Sequence, residues 1–145
     1  MNIIFFGSDD FALVHLESLL GSTHQVVACV TQPDKARGRG MKVTVSPIKE
    51  CALGNKIPVL QPATLKDKTI VGQLKSFKSD LFVVIAYGKF FSDELLRIPK
   101  ICAINVHGSL LPKYRGAAPI HWAIVKGEKE TGISIMKINN VLSIQ

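Results

Sequence analysis

Apolar positions along this chain fall into short continuous runs, separated by segments in which they recur at helical spacing. Residues 2–6, NIIFF, form the first run and predict a buried strand. In residues 11–20, FALVHLESLL, the apolar positions Phe11, Val14, Leu16, Leu19 and Leu20 share a helical face. Asp9 or Asp10 is placed to cap that helix, and Gly21 and Ser22 end it. Residues 25–31, QVVACVT, are a second continuous run and a second strand. Strand, helix and strand within about 30 residues make a β-α-β unit, which implies parallel strands joined by a right-handed crossover.

The alternation continues. Residues 32–42, QPDKARGRGMK, hold proline, glycines and several cations and read as a loop. Residues 46–56 predict a short helix with Ser46 at its cap and Pro47 in its first turn. A short strand is expected at 57–62 and a helix with a lysine-rich, solvated face at 65–78. Residues 80–88, DLFVVIAYG, are the most apolar strand and are expected near the middle of the sheet. A capped short helix at 92–98, a strand at 101–107, a loop at 108–119, a helix at 119–128 and a strand at 132–138 complete the pattern. The whole predicts an α/β fold with a doubly wound, mostly parallel, Rossmann-like open sheet. No repeat or linker divides the 145 residues, so one domain is expected.

Composition narrows the classes. The formal net charge of +7 favours an anionic partner, such as a nucleic acid or a phosphorylated small molecule. No apolar run approaches the roughly 18 to 20 residues that cross a bilayer. No basic segment or cleavage site precedes the first strand, so neither a signal nor a transit peptide is expected, and a cytoplasmic protein with no membrane partner is. Cys29, Cys51 and Cys102 are widely spaced and are expected to be reduced core residues. His15, His24, His107 and His121 lack ligand spacing with them, so no metal is expected. GSDDF after the first strand is not a dinucleotide fingerprint: it has one glycine, and two carboxylates stand where a pyrophosphate would dock.

In doubly wound sheets ligands bind beyond the carboxyl ends of the strands. Two predicted strands end there in chemistry: one in the Tyr87–Gly88 turn, the next in Asn105 and His107. Two residues apart on an extended strand, the amide and the imidazole point to one side. The imidazole can take or relay a proton, and the amide can stabilise an oxyanion. Together they suit attack of an amine on an acyl carbonyl; a turn asparagine and a hydrogen-bonded core histidine would fit the same residues. The next segment, GSLLPKYRG, offers backbone amides with Lys113 and Arg115 to a carboxylate or phosphate, or is an ordinary strand-to-helix connection. In the 32–42 loop, Lys35, Arg37, Arg39 and Lys42 face a single acid, Asp34, and suit an RNA phosphate backbone or simply water.

Taken together, IIFFGSDDFA, VTQPDKARGRG, SPIK, VLQP, VVIAYG, INVHGSLLPKYRGAAPI and TGISIM resemble the N-terminal catalytic domain of the methionyl-tRNA formyltransferase family from end to end. N-x-H-x-S-L-L-P marks the folate-dependent formyltransferases, and QPD-x-x-x-GRG with S-P-I-K is similar to the tRNA enzymes rather than to relatives acting on a sugar nucleotide. The resemblance implies the formyltransferase version of the fold, incomplete at its C-terminus and without the smaller tRNA-binding domain. It implies that the amine of methionyl initiator tRNA attacks the formyl carbon of 10-formyltetrahydrofolate in translation initiation. Asn105 and His107 would be catalytic. Ile85, Ala86, Tyr87 and Gly88 would line the pterin pocket, and Ser109, Leu110, Leu111 and Pro112 would hold nearby parts of the folate. Lys35, Arg37, Arg39 and Lys42 would reach toward the acceptor stem.

The likeness breaks after the last predicted strand. There the family runs into G-L-D-T-G, whose aspartate pairs with the histidine, whereas this chain reads NNVLSIQ. The aspartate's position falls on Ser143 and the glycines' on Val141 and Gln145, and no Asp or Glu follows Glu130. The change at Asn139 suggests a truncated or altered reading frame. Little or no formyl transfer is therefore expected of these 145 residues; a non-catalytic fragment that keeps folate or RNA affinity is a second reading, and a related formyltransferase acting on a sugar nucleotide a third, against which the GRG loop argues.

Overall fold

The computed structural model describes residues 1–37 and 42–139. The elements are β1 (Asn2–Gly7), α1 (Asp10–Leu20), β2 (Gln25–Val30), β3 (Lys35–Arg37), β4 (Lys42–Thr44), α2 (Pro47–Gly54), β5 (Val59–Leu60), α3 (Lys68–Ser76), β6 (Leu81–Ile85), α4 (Asp93–Leu96), β7 (Cys102–His107), α5 (Pro119–Val125) and β8 (Ser134–Lys137). The main sheet has the order β5-β2-β1-β6-β7-β8. The pairs β1–β2, β1–β6, β2–β5 and β6–β7 are parallel, and β8 alone runs antiparallel, against β7.

Continuous apolar runs form strands buried on both faces, and alternation along each strand splits the core in two. Ile3 and Phe5 of β1 meet Ala12 and Leu16 of α1 and Ile48 and Ala52 of α2. Ile4 and Phe6, pointing the other way, meet Ile70, Val71 and Leu74 of α3 and Leu95 of α4. The sheet is thus wound on both sides, with β6 between β1 and β7 as its apolar run demands.

Caps set the helix starts. Asp9 Oδ1 accepts from the Ala12 amide at 2.9 Å, and Ser46 Oγ accepts from the Lys49 amide at 3.1 Å with Pro47 just inside. Gly7 lets α1 leave the sheet tightly: a Cβ there would lie 2.6 Å from Ala12 Cβ and 2.7 Å from Phe5 Cε1. α5 buries Ala123 and leaves Trp122, Ile124 and Val125 exposed. Cys29 is buried, Cys51 and Cys102 are half-buried, and all three are free thiols. Burial, with a smaller push from Cys51, raises the Cys29 thiol to about 12, so it stays protonated and unreactive.

One sequence expectation is corrected here. Residues 32–42 do not form a plain loop: β3 and β4 pair antiparallel, with Lys35 opposite Thr44 and Arg37 opposite Lys42. The partner strand is β-branched at Val43 and Thr44, just past the cationic stretch, so the ladder joins residues that lie on both sides of the predicted boundary.

Three carboxylates staple separate parts of the chain. Asp80 accepts from the Asn2 amide at 2.7 Å and pairs with Lys100 at 3.2 Å. Asp34 accepts from the ammonium of Lys49 and from Gln61 Nε2. Glu128 accepts from the Tyr114 hydroxyl at 2.6 Å and from Lys113 at 3.0 Å. These hydrogen bonds hold all three carboxyls below their ordinary values. A lowered folded-state value stabilises the fold above roughly pH 4, where the unfolded carboxyls ionise, and that contribution is lost as pH falls through the lowered values. Tm is therefore expected to hold from pH 7 to about 5 and to fall steadily below about 4. Asp80→Asn should lower Tm at pH 7 and flatten the acid limb of a calorimetric pH series.

Candidate active site

The carboxyl ends of β6 and β7 form the floor of a cleft of ≈ 940 Å³. Asp9, Asp10 and Phe11, where α1 begins, make one wall, and residues 86–91 after β6 make the second. Residues 116–121, entering α5, make the third, with Ile138 and Asn139 at the edge after β8. The lining is mainly apolar, through Phe11, Phe90, Val106 and Ile120, with a few polar groups converging at the floor.

Asn105 and His107 both open onto this cleft, 6% and 8% exposed. β7 presents them on one side, as their two-residue spacing requires. Among the described residues no side-chain hydrogen bond occupies the Asn105 amide, which leaves its donors for a ligand. His107 Nε2 lies 2.8 Å from the carbonyl oxygen of Tyr114. A carbonyl only accepts, so Nε2 carries the proton and Nδ1 of the neutral ring holds the lone pair. Tyr114 is itself fixed, in the left-handed region at φ 53° and through its hydroxyl to Glu128. The loop after β7 thus sets the tautomer of the histidine.

The turn after β6 is shaped by two left-handed residues, Ala86 at φ 46° and Gly88 at φ 72°, on either side of the buried Tyr87. Burial also pushes the Tyr87 hydroxyl up, so it stays neutral. Lys89 next to it donates to the Ala63 carbonyl at 2.8 Å. Burial first, then the Lys35 charge, holds its ammonium below the ordinary value.

The sequence-predicted residues separate into groups. Asn105, His107, Ala86, Tyr87 and Gly88 share the cleft, while Ile85 lies wholly within the core beneath it. Ser109, Leu110, Leu111 and Pro112 do not line it. Ser109 Oγ donates to the Lys113 carbonyl at 2.7 Å, and Ser134 Oγ donates to the Ser109 carbonyl at 2.7 Å. Leu110, Leu111 and Pro112 border a separate depression that they share with Glu128 and Thr131. Ser109 therefore braces the loop that holds His107. Lys35 is exposed on β3, and Arg37 and Lys42 face each other across the hairpin register. Arg39, like Val141, Ser143 and Gln145, lies outside the described residues.

The family model for formyl transferases matches residues 1–142. The chain belongs to the formyl transferase family. Over 136 residues it is 51% identical to the methionyl-tRNA formyltransferase of Alkaliphilus oremlandii, covering 94% of this chain and 44% of that protein. Over 142 residues it is 46% identical to the methionyl-tRNA formyltransferase of Clostridioides difficile, covering 98% of this chain and 46% of that one. The chain spans less than half the length of these curated relatives. Among solved structures, a phosphoribosylglycinamide formyltransferase from Bacillus halodurans matches with a TM-score of 0.71 at 22% identity, over 96% of this chain and 72% of that one. That likeness is one of fold: an open, mostly parallel α/β sheet.

Sequence reasoning missed part of this formyl transferase cleft. Phe11, Phe90, Ile120 and His121 line it, yet they come from three separate parts of the chain: the first turn of α1, the segment after β6 and the first turn of α5. The rule that ligands sit beyond strand ends would have found Asp9, Asp10 and Phe11, which follow β1 directly. Nothing local marks Ile120 or His121, because only the return of α5 brings them over the floor. Among the described residues no cluster of three or more His, Cys, Asp or Glu could hold a metal ion, and no helix is long and apolar enough to cross a membrane.

Proposed function

We propose that this fold serves formyl transfer from 10-formyltetrahydrofolate to the amine of methionyl initiator tRNA, and that these 145 residues keep the folate site while catalysing weakly. The observation that carries the reading is the shared cleft of Asn105 and His107, with the amide unoccupied and the imidazole held in one tautomer. The names of the methionyl-tRNA formyltransferases at 46% and 51% identity supply the substrate class.

A flat pteridine suits the cleft, whose lining is mainly apolar and whose floor carries the Asn105 amide and the His107 imidazole. The co-substrate supplies an activated formyl carbon. Asn105 donates its amide N–H to the formyl oxygen as negative charge builds there, a type of contact worth about 3–4 kcal/mol in a water-poor site. His107 Nδ1 receives the proton that the attacking amine sheds, and as the tetrahedral intermediate collapses the bond from the formyl carbon to N10 breaks, N10 takes that proton and tetrahydrofolate leaves. Lys35, Arg37, Arg39 and Lys42 concentrate positive charge in one stretch of the chain, which suits the phosphate backbone of the tRNA. Ser143, in the aspartate's position, favours the second reading for present behaviour: a folate- or RNA-binding fragment.

Isothermal calorimetry with a stable 10-formyltetrahydrofolate analogue tests the site. Saturable binding is expected, weakened about tenfold or more by Asn105→Ala. No binding by the wild-type chain would overturn the reading.

A further inference from the structure

The geometry points to Gln32 as a positioning residue for the floor of the cleft, a role that rests on the folate reading of that site. Gln32 follows β2 and never touches the cleft itself. Its Nε2 donates to the Tyr87 carbonyl at 2.7 Å, its backbone amide donates to Ser8 Oγ at 3.1 Å, and its carbonyl accepts from Gln61 Nε2 at 3.1 Å. One residue therefore ties together the ends of four neighbouring strands: β1 through Ser8, its own β2, β5 through Gln61 and β6 through Tyr87.

The bond to Tyr87 matters most. Tyr87 sits between two residues in the left-handed region, and for Ala86 that conformation is strained. Such a turn persists only if its surroundings over-determine it. The Tyr87 ring is wedged against Phe6 and Phe91, but a ring can pivot, whereas an anchored carbonyl fixes the peptide plane and hence the direction of the Gly88 amide. Gln32 supplies that anchor.

The same brace reaches the hairpin. Gln61 Nε2 also donates to Asp34 at 2.8 Å, and Asp34 pairs with Lys49 of α2. Asp34 immediately precedes β3, so the root of the cationic hairpin and the floor of the cleft hang from one hydrogen-bonded unit. A ligand on the floor and an anion on the hairpin would then meet at a fixed separation, which is what transfer between two bound substrates requires.

Gln32→Met keeps the length of the side chain and removes the donor, and Gln32→Glu removes it with a different group. In the free protein, amide hydrogen exchange across residues 86–89 should rise about tenfold in both variants, with exchange in β1 and β6 unchanged. Affinity for the folate analogue should fall about tenfold. Tm should move by only a few degrees, because one hydrogen bond is lost. Equal analogue binding and equal turn exchange in wild type and both variants would overturn the role of Gln32 alone. A wild-type chain that binds no analogue is a different result: it overturns the folate reading and the positioning role with it.

Discussion

In a formylation assay on charged initiator tRNA, these 145 residues are expected to turn over about 10²- to 10⁴-fold more slowly than a full-length methionyl-tRNA formyltransferase, the range a positioned acid–base group supplies. A carboxylate beside a catalytic imidazole does two things: it fixes the tautomer, and it stabilises the cation that forms when the ring takes a proton. The first task is already met, because the Tyr114 carbonyl holds His107 Nε2–H. The second is not, since a carbonyl brings no charge. Among the described residues the carboxylates lining the cleft are Asp9, which caps α1, and Asp10 beside it, and no acid follows Glu130 in the sequence. The loss should therefore appear in kcat, with analogue affinity retained. Replacing Val141, Ser143 and Gln145 together by Gly, Asp and Gly should raise kcat. A near-normal rate for the unaltered chain would show that the charge of the missing carboxylate is not needed.

Much of this fold was legible because burial on both faces leaves little ambiguity: NIIFF and LFVVI can hardly be anything but inner strands of a parallel sheet. The cap at Ser46, and one at Asp9 or Asp10 that proves to be Asp9, were legible because a side-chain oxygen has to satisfy the first helical amides. The β3–β4 hairpin was not, since three paired residues make no periodic signal and the cations beside them read as solvated loop. The direction of β8 was not either, as an edge strand can run either way under the same apolar pattern. At the site, Asn105 and His107 were legible from their spacing on one strand, a purely local property. Gln32 stood out only as part of the QPD pattern; its contact with Tyr87 was not legible, because it lies 55 positions away, with a carbonyl that has no side-chain identity. The brace by which Ser109 holds the Lys113 carbonyl, next to the Tyr114 carbonyl that meets His107, was not legible either, because it depends on how the turn closes.

Phe6→Ala should be the most damaging single change to the fold, lowering stability by about 3–5 kcal/mol and Tm by roughly 10 °C. Phe6 is fully buried on β1, and its ring centroid lies 5.0 Å from Phe82, 5.5 Å from Tyr87 and 5.0 Å from Phe91. These contacts are tilted or edge-on, the arrangements in which aromatic rings attract beyond the area they bury. Truncation removes the shared partner of three rings at once, and a close-packed interior refills such a space only in part. Two of those rings, Tyr87 and Phe91, also line the cleft, so the cavity opens directly beneath its floor. The variant should lose analogue affinity even at temperatures where it is still folded. Phe6→Leu, which keeps most of the volume, should cost less than half as much stability and retain most of the binding. Chemical denaturation and calorimetry on both variants separate the two effects. If Phe6→Ala melts normally, the cluster is not the keystone of that face; if it melts early but binds normally once folded, the floor of the cleft does not lean on Phe6.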